Sequence, residues 1–177
     1  MKKFYRLRLA KNKTVGTSLV ELLATVSILA LVISIAVPGI LFLKKMAISA
    51  ELDRLQIVSQ FLQKKAIYTR QKTYLYFNLN DHSYSYDEQI EKLSNGVFFS
   101  IAPQVSGPPA NPKGPIRQAV TFRKQKITFY PNGTISPGTV YLNNQNQNNL
   151  HALTVAVSQA AFIRKYKYQA GTWLYLN

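Results

Sequence analysis

The sequence predicts an α+β protein in which one long N-terminal helix packs against a C-terminal antiparallel β-sheet domain. The first observation is an uncharged apolar stretch that passes directly into a run with apolar residues at three- and four-residue steps, the helical period. The second is a change to period two after Lys72, in segments rich in β-branched and aromatic residues. The 177 residues leave room for one modest domain beyond the apolar stretch.

The apolar stretch covers residues 22–43 and contains no charge. At about 1.5 Å per residue, such a helix spans a hydrocarbon core of roughly 30 Å. Six basic residues precede it, and only Lys44 and Lys45 follow closely. The positive-inside bias therefore predicts a single membrane pass over residues 17–43, with the N-terminus in the cytoplasm and residues 73–177 outside it.

The helix should continue over residues 44–72, because Ile48, Leu52, Leu55 and Leu62 recur on one face, with Val58 or Ser59 between them. This stripe needs a cover, and the protein's own sheet is the predicted one. A coiled coil is the alternative, but the stripe persists for too few heptads to favour it.

The strands are predicted from alternation, and the segments between them from turn residues. Pro131, Asn132 and Gly133 mark a tight hairpin turn, and a second turn falls at 136–138. Two segments, 106–115 and 143–149, are predicted to be exposed loops because they are rich in proline and in amides respectively. The predicted strands are 74–77, 96–101, 119–122, 127–130, 139–142 and 153–157, with one or two more in 160–176.

The start of the apolar stretch resembles the type IV prepilin motif, in which a glycine ends a short basic leader and a glutamate follows five residues later. Here these are Gly16 and Glu21, and Pro38 is the twenty-second residue counted from Thr17, where the family commonly carries a proline. The resemblance implies that residues 1–16 are a leader, that a prepilin peptidase cuts after Gly16, and that Thr17 is then N-methylated. The family mostly has phenylalanine at the position of Thr17.

Glu21 has a physical reason of its own to act in assembly. A carboxylate against the bilayer core costs about 2.5 to 3.5 kcal/mol on insertion scales, so it needs a compensating group. Cleavage after Gly16 would create a positive amine on Thr17, which a neighbouring subunit could present to Glu21, and the family is thought to set its register this way. The alternative is that Glu21 marks the headgroup boundary of an uncleaved signal anchor.

Pro38 and Gly39 are predicted to form a helix break when subunits leave the bilayer for a filament. Proline removes one backbone hydrogen bond, and the glycine beside it favours local melting. An ordinary proline bend of a membrane helix is the alternative.

The sheet region, ITFYPNGTISPGTVYLNN followed by LTVAVSQAAFIRKYKY, resembles the GspH/FimT class of minor pseudopilins and minor pilins. That class often has glycine where this chain has Ala160 and Ala161. The resemblance implies a pilin-like fold, other pilins or pseudopilins as partners, and an inner-membrane protein assembled into a filament. Its leading function is a minor subunit at or near the tip of a type II secretion pseudopilus. The alternative is a type IV pilus minor pilin that binds DNA in natural transformation.

Composition argues against an enzyme. The chain has no cysteine, so a thiolate metal site is excluded. Its histidines are His82 and His151, so there are few candidates for a general base. No cofactor or metal is therefore predicted. An acidic cluster of Asp81, Asp87, Glu88 and Glu91 is interpreted as a solvated loop and helix start.

Charge leaves nucleic-acid binding open. The formal net charge is +15, and removing the six leader cations leaves +9, which favours anionic partners. Arg164, Lys165 and Lys167 alternate with aromatic residues, a pattern that neutralises phosphates and stacks bases, so they are candidate DNA-binding residues. An edge strand protected by lysines is the alternative.

Overall fold

The computed structural model gives an α+β protein with one long helix and antiparallel sheets. The chain divides into two units, Met1–Ile40 and Leu41–Asn177. Within 36–45 only the backbone is described. The residues that the structure describes are 18–103, 105–107, 109, 111, 114–144, 150–155 and 162–176.

The helix α1 spans Leu19–Thr69, 51 residues, close to the predicted end of the helical pattern. Its backbone continues through Pro38 and Gly39. The predicted break concerns subunits in a filament and stays a prediction. After Thr69 the chain turns at Arg70, whose φ of 55° is the left-handed conformation common just past a helix end.

The first sheet has the strand order β3-β2-β1-β5, with every neighbouring pair antiparallel. Its strands are β1 (Thr73–Asn78), β2 (Ser83–Tyr86), β3 (Gln89–Lys92) and β5 (Lys126–Phe129). The hairpin of β2 and β3 corrects the interpretation of the acidic cluster, since Glu91 lies in a strand and Asp87 and Glu88 in its turn, not at a helix start.

The second sheet has the order β4-β6-β7-β8-β9 and is also antiparallel throughout. Its strands are β4 (Val97–Phe99), β6 (Gly138–Asn144), β7 (His151–Val155), β8 (Ile163–Gln169) and β9 (Thr172–Leu176). The predicted strand at 119–122 is wrong, because this segment makes only an isolated bridge from Val120 to Val140. Asn143 and Asn144 belong to β6, not to a loop, while 145–149 and 156–161 lie outside the described residues.

One core joins the helix to the inner faces of both sheets. Ile48, Leu55 and Leu62 of α1 are completely buried, so the prediction that the sheets cover this stripe is confirmed. Burial of each such side chain contributes about 1.5 to 3 kcal/mol. The sheet residues that meet this stripe include Leu75, Phe77, Ile127, Phe129, Val140, Leu142 and Leu153.

A second, smaller core lies on the other face of the second sheet. Tyr141 is fully buried there, and Trp173 packs against it with ring centroids 6.0 Å apart. The indole Nε1 of Trp173 donates to the carbonyl oxygen of Gly107 at 2.8 Å. Gly107 is buried, so the segment predicted as an exposed loop at 106–115 is tied to the sheet where the structure describes it.

The predicted hairpin turn at 131–133 is confirmed. The Gly133 N–H donates to the Tyr130 carbonyl at 2.9 Å, and Gly133 has a φ of +82°, which glycine adopts without strain. The turn leads from β5 to a single bridge at Ile135 before the chain enters the second sheet.

Candidate functional site

The N-terminal part of α1 is apolar and exposed on every side. All side chains from residue 18 to residue 35 are exposed, and the large apolar ones among them are 54 to 76% exposed. An amphipathic surface helix would bury one face, whereas a helix that is apolar all round is normally covered by lipid or by other protein. We call residues 19–35 the exposed apolar segment.

The segment begins with a defined helix cap. The carbonyl oxygen of Ser18 accepts from the N–H groups of Glu21 and Leu22 at 3.0 and 3.1 Å, and its side-chain Oγ lies 3.4 Å from the Glu21 nitrogen. Serine is a favoured residue at this position because its oxygen satisfies an otherwise unpaired N–H. The cap places Glu21 in the first turn, where the helix dipole favours a negative charge.

Glu21 is exposed, and its carboxylate forms no hydrogen bond or ion pair with any residue that the structure describes. Its carboxylate therefore stands at the start of an apolar surface without a counter-charge in the described chain. A group that supplies a positive charge there would stabilise any state in which the segment is covered.

The hydroxyl groups within the segment are turned back onto the helix. Thr25 Oγ1 donates to the Leu22 carbonyl at 2.8 Å, Ser27 Oγ to the Leu23 carbonyl at 2.8 Å, and Ser34 Oγ donates within the helix in the same way at 2.7 Å. Because these donors are satisfied by the backbone, they need no water when the surface is covered.

Some predicted site residues lie outside what the structure describes. Gly16 and Thr17, the predicted cleavage and methylation positions, are outside the described residues, as is the predicted leader at 1–16. Pro38 and Gly39 are described by their backbone alone. In the described part of the chain, no helix carries a stretch long and apolar enough to cross a membrane.

The structure does not bring the three candidate DNA-binding residues together. Lys165 and Lys167 point to the inner face of the second sheet, while Arg164 is on the other face, because neighbouring residues of a strand alternate. The Lys165 Nζ lies 2.7 Å from Asp53 Oδ1 of α1. β8 pairs with both β7 and β9, so the alternative interpretation as an edge strand is wrong.

The acidic residues of the domain hold its own elements together. Lys65 Nζ lies 2.6 Å from Asp87 Oδ2, and Arg54 pairs with Glu91, so two ion pairs fasten the β2–β3 hairpin to α1. The buried Glu51 accepts from the backbone N–H and the hydroxyl of Ser94. Among the described residues, no group of three or more His, Asp or Glu side chains is arranged to hold a metal ion.

Two buried tyrosines have perturbed acidity. Burial raises the pKa of Tyr84 to about 12, opposed by the nearby positive charge of Arg54. Burial also raises the pKa of Tyr141 to about 12, opposed by a hydrogen bond with the Thr139 side chain. A tyrosine that is harder to ionise is a weaker acid and holds almost no phenolate at neutral pH, so both shifts reflect the burial of the two hydroxyl groups.

A cluster of tyrosines and lysines on the outer face of the first sheet was missed by the sequence predictions. Lys126 Nζ lies 4.4 Å from the ring centroid of Tyr74 and 5.5 Å from that of Tyr76, and Lys72 Nζ lies 5.4 Å from that of Tyr130. We call these five residues the tyrosine–lysine face. Its signal in the sequence was the alternation of polar aromatics and lysines along 72–76 and 126–130.

The described geometry defines an α+β protein with one long helix, part of which is covered by two antiparallel sheets and part of which is exposed and apolar. Comparison of the chain with protein-family models, with curated proteins and with solved structures finds no match. Function is therefore inferred from this chain's own residues.

Proposed function

We propose that the chain is a prepilin-like, membrane-anchored subunit of a filament, of the GspH/FimT type, with a structural role in assembly and no catalytic one. Its leading assignment is a minor subunit at or near the tip of a type II secretion pseudopilus in the bacterial inner membrane and periplasm. The exposed apolar segment, with Glu21 at its start, is the single observation that carries this proposal.

The free energy of burying this apolar segment is large enough to favour a state in which lipid or protein covers it. Eleven large apolar side chains between residues 19 and 35 are more than half exposed. Burial of each is worth about 1.5 to 3 kcal/mol, so together they exceed the roughly 5 to 15 kcal/mol by which a domain is normally stable. In the proposal, the bilayer covers the segment before assembly and helices of other subunits cover it in the filament. The uncharged run continues in the sequence to Leu43.

Glu21 would set the register of assembly. After cleavage by the prepilin peptidase, the new amine of Thr17 in one subunit would pair with Glu21 of its neighbour. The exposure of Glu21 supports this role, since its carboxylate is accessible to a second chain. Pairing would offset part of the cost of placing a carboxylate in an apolar surrounding.

The alternative assignment is a type IV pilus minor pilin that binds DNA, and the arrangement of the basic residues in β8 does not support it. Arg164 and Lys165 lie on opposite faces of the sheet, and Lys165 is paired with Asp53. We therefore place the secretion pseudopilus first. Adjacent genes for a secretion ATPase and an outer-membrane secretin would support this order, and genes for retraction or competence would reverse it.

The proposal is tested at its first chemical step. The protein is produced in hosts with and without a prepilin peptidase, and the mass of its N-terminal peptide is measured for wild type, Gly16→Ala and the neighbouring control Val15→Ala. We expect an N-terminus at Thr17 for wild type and Val15→Ala only where the peptidase is present, and an intact leader for Gly16→Ala. A Met1 start for wild type in both hosts would refute the prepilin assignment.

Assembly is tested separately. Glu21→Ala should be cleaved normally but should be lost from sheared filaments, because its register contact is gone. Glu88→Ala, which removes a carboxylate from an exposed turn, is the matched control and should be incorporated as wild type. Normal incorporation of Glu21→Ala would contradict the role given to Glu21.

A further inference from the structure

The tyrosine–lysine face is an outward surface of the first sheet. Along β1, Leu75 is completely buried against α1, while its neighbours Tyr74 and Tyr76 point the other way. Tyr76 is 45% exposed, and Tyr74 lies opposite Thr128 in the register of β1 and β5. Neither α1 nor the core clusters cover this side of the sheet in the described part of the chain.

The face forms a track along two strands. Lys72 and Tyr130 lie at one end, and Tyr76 is paired with Lys126 at the other. Outward residues of one strand are about 6.7 Å apart, so successive outward side chains are evenly spaced along the track. The rings of Tyr74 and Tyr76 have centroids 5.9 Å apart and are inclined by 39°, so both are presented along the track.

The lysines of this track keep their charge free for a ligand. The ion pairs that the structure describes use Arg54, Lys65 and Lys165, and none uses Lys72 or Lys126. Outward residues of β1 and β5 include no carboxylate. The lysines are held by the tyrosine rings, which orient a cation without neutralising it.

A strained turn adds further cations beside Lys126. Arg123 and Lys124 are exposed in the 3-10 turn Arg123–Gln125, which contacts β1. Lys124 and Gln125 have φ values of 57° and 50°, a conformation that costs energy for residues other than glycine. Such strain is often retained where it places functional side chains.

We propose that the tyrosine–lysine face binds single-stranded nucleic acid, with Tyr74 and Tyr76 stacking on bases and Lys72 and Lys126 contacting phosphates. Aromatic rings on an open sheet stack on unpaired bases, which a duplex does not offer. Lysines without carboxylate partners supply the charge term that polyanion binding needs. This binding belongs to the domain that carries the sheets, uses β1 and β5 and not β8, and does not depend on the assembly function proposed above. A positive result would place the DNA-binding alternative above the secretion pseudopilus.

The test uses the full chain in detergent micelles and a fluorescein-labelled oligothymidine of about 20 nucleotides, with binding followed by fluorescence anisotropy across a salt series. Tyr76→Ala should weaken binding about tenfold, in the range found for loss of one stacked base. Lys126→Gln should weaken binding and lower the slope of log affinity against log salt by about 0.7, as expected for one lost phosphate contact on a single strand.

Matched controls remove the same groups elsewhere. Lys64→Gln removes an exposed lysine of α1, and Tyr175→Ala removes an exposed tyrosine of β9, so both should bind as wild type. Circular dichroism and the fluorescence of Trp173, which is in the other sheet, check that each variant is folded.

The outcomes separate the proposal from general electrostatic attraction. Selective loss in Tyr76→Ala and Lys126→Gln, with single strands preferred over a duplex of the same length, supports the proposal. Equal loss in the control variants, equal or tighter binding of duplex or dextran sulfate, or no binding at about 50 mM salt would overturn it. Failure of peptidase cleavage in the N-terminal assay bears only on the assembly function.

Discussion

Replacing Tyr84 by phenylalanine should leave the protein at least as stable at neutral pH and make it less sensitive to alkali. The Tyr84 hydroxyl is buried and has no hydrogen-bond partner in the described structure. A buried polar group without a partner costs about 1 to 3 kcal/mol, so removal of the hydroxyl should be neutral or stabilising at pH 7.

The alkaline effect follows from the pKa of Tyr84. Its folded-state pKa of about 12 lies above the ordinary value of 10.0, so the folded protein keeps the proton longer than the unfolded chain. The tyrosine's contribution is therefore constant below about pH 10 and is lost as pH rises from 10 to 12. Two pKa units correspond to a loss of about 2 to 3 kcal/mol in the free energy of unfolding.

The assay is urea unfolding followed by circular dichroism between pH 8 and 11.5, in one detergent solution for all variants. All other side chains are the same in the two proteins, so the difference between wild type and Tyr84→Phe isolates the tyrosine. Tyr141→Phe should give a similar difference, because burial raises the pKa of Tyr141 also to about 12. Tyr175→Phe, at an exposed position, should give none. If wild type and Tyr84→Phe lost stability equally between pH 10 and 11.5, the reasoning would be refuted.

Three further variants test the packing. Leu55→Ala should lower the free energy of unfolding by about 2 to 5 kcal/mol in urea, because its side chain is fully buried. Leu29→Ala, at a position 59% exposed, should change it by no more than about 0.5 kcal/mol. Equal costs would contradict the division of α1 into a buried part and an exposed part. Gly138→Ala should lower the thermal midpoint, with a cost of about 1 to 3 kcal/mol, because a Cβ there would lie 2.5 Å from the Phe122 ring. Adding Phe122→Leu should restore part of this loss. An unchanged midpoint in Gly138→Ala would exclude the close approach. Lys165→Met should cost no more than about 1 kcal/mol, since its carboxylate partner is 55% exposed, and the cost should shrink in 1 M salt.

The parts of the fold that were predicted correctly have a strong hydrophobic period. The stripe from Ile48 to Leu62 follows the helical period, and its burial was therefore predictable. The hairpin of β2 and β3 was not, because β3 is almost wholly exposed and gives no apolar alternation. Glu51 is a comparable case, since its hydrogen-bond partner Ser94 is 43 residues away and nothing local indicates a buried carboxylate.

The candidate sites could likewise be predicted only where local sequence pattern determines them. Arg164 and Lys165 are neighbours in a predicted strand, so their placement on opposite faces was predictable. The contact of Lys165 with a carboxylate 112 residues earlier in the chain was not. The tyrosine–lysine face has a visible alternation, yet its exposure depends on the order of strands, which places Tyr76 beside Lys126 on the uncovered side.

Most acidic side chains of this chain are engaged within it, which disfavours association between identical copies. Internal contacts occupy five of the seven acidic side chains: Glu51, Asp53, Asp81, Asp87 and Glu91. Residues 17–177 carry +9, so the field around the domain is positive and two identical domains repel each other over distances of about 8 Å at physiological salt. A domain of this kind is better suited to stand next to an unlike, acidic neighbour than next to itself. In a mixed assembly its place would then be fixed by charge as well as by helix packing, and its stoichiometry would be held low by its own repulsion.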